Sequence, residues 1–265
     1  MREVEMIKSI FEEAKQRIFD VVRFRLTNLK KDQAAIVEGL ENEGLVIIPD
    51  FLSEEDCTSL REWIDHEIES NQFIWRDSVA SDSRIFFANL ASQQVSAFFQ
   101  NLFIREILSV YEGKEDCQGF TLANKLVFKE ANKGSGGGWH RDFVKRRQTK
   151  AILYLSDVTE ATGPFQFLVG SHRFESILHM QYRHSFAYNQ FRFSEIDVEA
   201  ILNGGLAQMK TVVGRAGTLL LADTRGIHRG APLRHGSRYA LTNYYWFGGA
   251  IPQHMRALNP YKAAD

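Results

Sequence analysis

Apolar residues recur in two different rhythms along this 265-residue chain. In the N-terminal segment Ile7, Ile10, Phe11, Ala14, Ile18, Val21 and Val22 fall at helical spacing, which predicts an amphipathic helix packed on the body or on a partner chain. A second helix is predicted at about 32–43, stopped by Gly44, and "LVIIPDF" predicts a short buried strand closed by Pro49. Ser53 stands where an N-cap would before "EEDCTSLREWIDHEIES", whose acidic first turn is followed by Leu60, Trp63, Ile64 and Ile68 on one face. The first part of the chain, 1–116, is therefore mainly helical.

After about residue 117 the rhythm shortens. "FTLANKLVFKE", "AILYLSDV", "PFQFLVG", "TVVGRAGTLLLAD" and "RYALTNYYWFGG" are short apolar or alternating runs separated by Gly, Asn, Asp and Ser clusters. This predicts a mainly β fold with flanking helices, a sandwich or barrel. One helical insert is predicted at "SEIDVEAILNGG", stopped by Gly204 and Gly205. No repeat, low-complexity tract or linker forces a cut, so residues 1–265 read as one domain with a β core at 117–250 and a tail at 251–265.

Composition narrows the function. The chain is 44% hydrophobic and 25% charged, with 32 basic against 33 acidic residues, so no global field draws it to nucleic acid or to a membrane surface. Cys57 and Cys117 support neither a disulfide framework nor a cysteine-based zinc site, and a reducing compartment is the simplest reading. The charged N-terminus lacks the apolar core of a signal peptide and no stretch is long enough to span a bilayer, which predicts a cytoplasmic protein, monomeric or homodimeric.

The chemistry starts at "GGGWHRD". His140 and Asp142 are two positions apart, and in a strand their side chains would share a face and converge on one ion. Further on, "GTLLLADTRGIHRGAPLRHGSRYALTNYYW" contains a buried strand from Gly217 to Ala222, then His228, then Arg238 at the opening of another strand. His140, Asp142 and His228 would make a two-histidine, one-carboxylate facial triad, which suits Fe(II) and leaves positions open for chemistry. An arginine inside such a barrel needs an anionic partner, and the distal carboxylate of a dicarboxylic cosubstrate would supply it.

With "KAILYLSDVTEATGPFQFLVGSH" between them, in this order, these motifs make the chain resemble the phytanoyl-CoA dioxygenase family of Fe(II)- and 2-oxoglutarate-dependent oxygenases, over about residues 35–250. The resemblance implies a double-stranded β-helix, the jelly roll of cupin-like proteins. It also implies iron ligands at His140, Asp142 and His228, a cosubstrate carboxylate on Arg238, and hydroxylation of a C–H bond with release of succinate and CO2. Where the family has "PGSH" this chain has Val169-Gly170-Ser171-His172, without the proline. The resemblance does not carry over a fatty acyl-CoA substrate.

Other residues stay open between two readings. Lys150 and Asn124 either contact 2-oxoglutarate or, respectively, meet solvent and satisfy backbone; Trp139 either walls the metal site or packs in the core. Arg141, Lys145, Arg146 and Arg147 form a basic run that would favour an anionic small-molecule substrate if it lies at the pocket mouth. The cluster "FAYNQFRF" is a candidate lid, and His172, His179, His184, His235 and His254 default to loop or surface roles. Against the dioxygenase stand a cupin-like metal-dependent isomerase and a non-catalytic binding barrel.

Overall fold

The computed structural model describes residues 7, 10, 11, 13–15, 29–71, 73–144, 147–187 and 189–261. Two antiparallel sheets face one another. The larger has seven strands: β1 (Leu45–Ile48), β8 (Leu219–Asp223), β5 (Thr149–Tyr154), β10 (Ser237–Phe247), β4 (Cys117–Val127), β3 (Asp82–Ile85) and β2 (Trp75–Arg76), in that spatial order. The smaller places β6 (Phe165–Val169) between β7 (Gln208–Val212) and β9 (His228–Gly230).

Strand alternation decides what reaches the interior. On β5, Ala151 and Leu153 join the core under the helices, whereas Ile152 and Tyr154 join the cluster between the sheets with Phe165, Phe167, Val212 and Leu220. Every residue of β5 and β8 is buried, which explains why these strands read as continuous apolar runs rather than alternating ones.

The outer face of the large sheet is covered by α1 (Lys31–Asn42), α2 (Glu54–Ser70), α3 (Gln93–Phe99) and α4 (Leu102–Glu112). Val37, Leu40, Leu60, Ile64, Ile104 and Leu108 of these helices meet Ala151, Leu153, Leu219, Leu221 and Leu241 of the strands. Ser53 caps α2 as expected, its Oγ accepting from the Asp56 amide, and Gly44 follows α1 at φ +78°. The predicted insert forms α6 (Glu195–Asn203), capped by Ser194. Beside it lies α5 (Phe174–His184), which sequence reasoning left unassigned, and a short α7 (Gln253–Arg256) follows the last strand.

Three expectations change. At 140–142 there is no strand, only an isolated bridge from His140 to His228 and Arg192, because the glycine bend brings one residue at a time alongside β9. The run "TVVGRAGTLLLAD" is two strands, β7 and β8, parted by a turn at Gly214–Gly217. In the N-terminal segment the described residues are helical, yet Ile7, Ile10 and Phe11 are 50%, 42% and 64% exposed, and it is Glu13 that reaches the body, through Arg225. Ile18, Val21 and Val22 lie outside the described residues. No helix among the described residues is long and apolar enough to cross a membrane.

Candidate metal centre and its cavity

Gly136, Gly137 and Gly138 all take positive φ, at +87°, +70° and +99°, so the run makes a bend that favours glycine. Gly136 is needed for a second reason. A Cβ there would come within 2.4 Å of His140 Cε1, so only glycine lets the chain pass across that ring. Beyond the bend the His140 and His228 amides each donate to the other's carbonyl, and the Asp142 amide donates to the Thr224 carbonyl. The backbone thus sets three side chains from two distant parts of the chain around one point.

Those side chains form a ligand cluster: one nitrogen each from His140 and His228 and one oxygen from Asp142 all lie within 4.8 Å of one another. His140 Nε2 is 3.8 Å from Asp142 Oδ1, and His228 Nε2 is 3.9 Å from Asp142 Oδ2. Each imidazole donates through Nδ1 to the carbonyl two residues before it, His140 to Gly138 and His228 to Gly226, both at 2.9 Å. Nδ1 therefore carries the proton and Nε2 presents a lone pair to the centre, the tautomer that a metal requires.

Electrostatics supports the same state. Burial holds the His228 imidazole well below its ordinary value and lowers His140, so both remain neutral. Burial alone would raise Asp142, but Lys150 above all, with His228 and His140, holds its carboxyl below the usual range. Two neutral imidazoles and one carboxylate are a donor set for a divalent first-row transition metal.

The cluster borders a cavity of about 740 Å³ that reaches between the sheets to Arg84, Asn124, Tyr154 and Arg238. Arg238 opens β10 as predicted, is 5% exposed, and donates to the Gly163 carbonyl. Its Nε has no partner, and no carboxylate pairs with it among the described residues. A buried guanidinium in this condition fits an anionic ligand entering the cavity.

Lys150 is buried rather than solvated, 2.5 Å from Asp142 Oδ2, because β5 carries it inward beside Tyr244. Asn124 lines the cavity and turns its amide to Asp82 at 3.4 Å. Trp139 is core: it packs with Leu168, Met180, Phe193 and Ile227 and donates to Glu195. His172 is also buried, whereas His179, His235 and His254 are exposed.

Of the basic run, the described residues Arg141 and Arg147 do not line this cavity. Arg141 sits over the Phe193 ring beside Met180, and Arg147 sits over Tyr111, pairs with Glu41 and borders a different cavity. Lys145 and Arg146 lie outside the described residues. The cations at the metal-site cavity are instead Lys133, Arg192, Arg84, Lys150 and Arg238. Of the candidate lid, Arg192 lines the cavity while Phe193 is core and Phe191 is exposed. Tyr244 was missed, although Arg238, Ala240, Thr242 and Tyr244 alternate along β10 and all face the cavity.

Two antiparallel sheets closed around such a cluster place the molecule among the cupin-like double-stranded β-helix proteins. The chain belongs to the phytanoyl-CoA dioxygenase family, whose profile matches residues 40–238. It is 23% identical over 159 residues to ectoine dioxygenase of Halomonas elongata, a match covering 53% of this chain and 46% of the relative. The chain thus spans about half the length of the curated relative it matches. Among solved structures, the epimerase SnoN in complex with Fe3+, alpha ketoglutarate and nogalamycin RO superposes with a TM-score of 0.65 at 16% identity, over 88% of this chain and 92% of that one. HygX from Streptomyces hygroscopicus, with nickel, 2-oxoglutarate and hygromycin B bound, gives 0.58 at 15% identity over 83% and 88%. At these identities the structural likeness is one of fold.

Proposed function

We propose that this protein is an Fe(II)- and 2-oxoglutarate-dependent dioxygenase that hydroxylates a C–H bond of a small anionic molecule. The observation that carries the reading is the placement of two things on one cavity: the His140–Asp142–His228 cluster and a buried arginine, Arg238, without a carboxylate partner. A metal-dependent isomerase barrel has use for the first but not for the second.

His140, Asp142 and His228 would hold the iron, and Arg238 the distal carboxylate of 2-oxoglutarate. Lys150 and Asn124, on the same wall, extend the polar surface that the cosubstrate meets. Bound there, Fe(II) supplies the chemistry by which O2 and 2-oxoglutarate become CO2, succinate and one oxygen atom inserted into the substrate's C–H bond. Tyr244 and Trp246 give the same cavity an aromatic wall. Asp142 itself argues for hydroxylation rather than halogenation, since its carboxylate fills the position a halide would need.

An anionic substrate is supported by the lining charges. Asp82 pairs with Arg84 and Asp142 with Lys150, while Asp77 accepts from the amides of Ser81 and Asp82. Lys133 and Arg192 border the same cavity with no carboxylate partner among the described residues. The fold neighbours include proteins named as an epimerase and a carbocyclase, so the outcome at the C–H bond rests on the residues and not on the architecture.

The test is succinate formation by purified protein incubated with Fe(II), O2 and 2-oxoglutarate. Many oxygenases turn over slowly without substrate, so succinate from the wild type and none from His228→Ala is the expected result. Turnover independent of Fe(II), or equal in both proteins, would sink the reading in favour of an isomerase or a binding barrel.

A further inference from the structure

The buried pair between Lys150 and Asp142 has a consequence for how the carboxylate meets a metal. Lys150 Nζ lies 2.5 Å from Asp142 Oδ2 and 4.2 Å from the centre of the Tyr244 ring, and the residue is 5% exposed. Strand register fixes this position. Lys150 is paired with Tyr244 of β10 on one side and with Ala222 of β8 on the other, so it points into the cavity with Ile152 and Tyr154. A buried ammonium is costly unless its charge is met, and Asp142 meets it here, while the Tyr244 ring face adds a cation–π contact.

Asp142 is held at two points. Its amide donates to the Thr224 carbonyl, and Oδ2 forms an ion pair with the Lys150 ammonium. Oδ1 lies 3.8 Å from His140 Nε2 and Oδ2 3.9 Å from His228 Nε2, so both oxygens border the cluster and only Oδ2 also carries the ammonium.

We infer that Lys150 is a positioning residue that keeps Oδ2 of Asp142 occupied, so that the carboxylate binds the metal through Oδ1 alone. This rests on the dioxygenase reading. Its chemical consequence is the number of open coordination positions. On a six-coordinate metal, two imidazoles and a single carboxylate oxygen would leave three positions, enough for a cosubstrate bound through two oxygens and for O2. A carboxylate chelating through both oxygens would take a fourth and leave one ligand without a place. An ion pair at a largely buried position is suited to prevent this, since the attraction between unit charges grows as the effective dielectric falls.

The experiment uses Co(II) as a spectroscopic probe on the full chain, comparing the wild type with Lys150→Met and Lys150→Arg, with circular dichroism to confirm folding. The ligand-field spectrum reports coordination number without turnover. In the wild type a band appears on Co(II) addition, and Lys150→Arg keeps it. In Lys150→Met the freed oxygen takes a position from water and the bands shift with the changed ligand set, and 2-oxoglutarate affinity of the Co(II) form falls roughly tenfold, the low end for outer-shell partners of a metal.

A folded Lys150→Met protein with the wild-type spectrum and wild-type 2-oxoglutarate affinity would overturn the clamp while leaving the dioxygenase reading intact. No Co(II) band in the wild type would overturn both. If Lys150→Met does not fold, a crystal structure of the Ni(II)-loaded wild type decides: Oδ2 on Nζ with Oδ1 on nickel supports the clamp, and both oxygens on nickel overturn it.

Discussion

Each candidate ligand is oriented by an atom close to it in sequence, so the centre is prepared before any ion arrives. The two histidines use the carbonyls of Gly138 and Gly226, and Asp142 uses Lys150. Arg238 is prepared differently, by depriving it of a partner, and burial lowers its affinity for its own proton. Replacing it with alanine should therefore weaken 2-oxoglutarate binding and spare the metal. Truncating one member of a buried charge pair costs at least about 2 kcal/mol, roughly 30-fold in Kd. Calorimetric titration of Ni(II)-loaded protein would measure this, and unchanged cosubstrate affinity in Arg238→Ala would remove Arg238 from the site. The four residues were legible in the sequence because their types and order carry the chemistry. Lys150 was only half legible, since its burial follows from a register with Tyr244 that lies 94 positions away. Arg141 and Arg147 misled because chain proximity to His140 says nothing of direction: one turns to Phe193, the other to Tyr111.

At the scale of elements, the turn after β6 takes the place of the family's proline-bearing one and is held by its side chains. Ser171 Oγ donates to the Leu168 carbonyl and accepts from the Ile227 amide, next to the candidate ligand His228. His172 donates from Nε2 to the Glu41 carbonyl and lies against Gly44, where a Cβ would come within 2.4 Å of Nδ1. Burial pushes the His172 imidazole down from 6.5 to about 4. Above pH 6.5 the folded and unfolded chains are both neutral here and nothing changes. Between about 6.5 and about 4 the unfolded chain takes up a proton that the folded one refuses, so stability falls as pH falls, by up to about 3 kcal/mol. Urea denaturation of the wild type and His172→Gln at pH 7 and pH 4.5 would show it; the variant should lose less stability than the wild type, and equal losses would contradict the account. The elements themselves were legible where caps and periodicity agree, as at Ser53 and Ser194. Helix α5 was missed because Arg173 at its N-cap makes no side-chain cap and only Phe174, Ser176, Ile177 and Met180 are buried. Strand β9 is three residues long, too short to show any period.

For the molecule as a whole, the double-stranded β-helix brings residues from 75 to 255 to one cavity while the helices over its outer face supply a core under the large sheet. The architecture survives at 15–16% identity because sheet pairing and an apolar interior need only residue classes, whereas the far cavity wall of Trp75, Arg84 and Trp246 depends on individual side chains. This is why the reaction class could be read before the fold and the substrate could not. The central claim is that one metal and one 2-oxoglutarate share the His140, Asp142, His228 and Arg238 site. Anaerobic titration of 2-oxoglutarate into the Fe(II)-loaded protein, followed by its visible metal-to-ligand charge-transfer band, measures that directly. A band that saturates at one equivalent and is absent in Asp142→Ala is the predicted result; a wild-type protein that binds Fe(II) yet develops no band would contradict it.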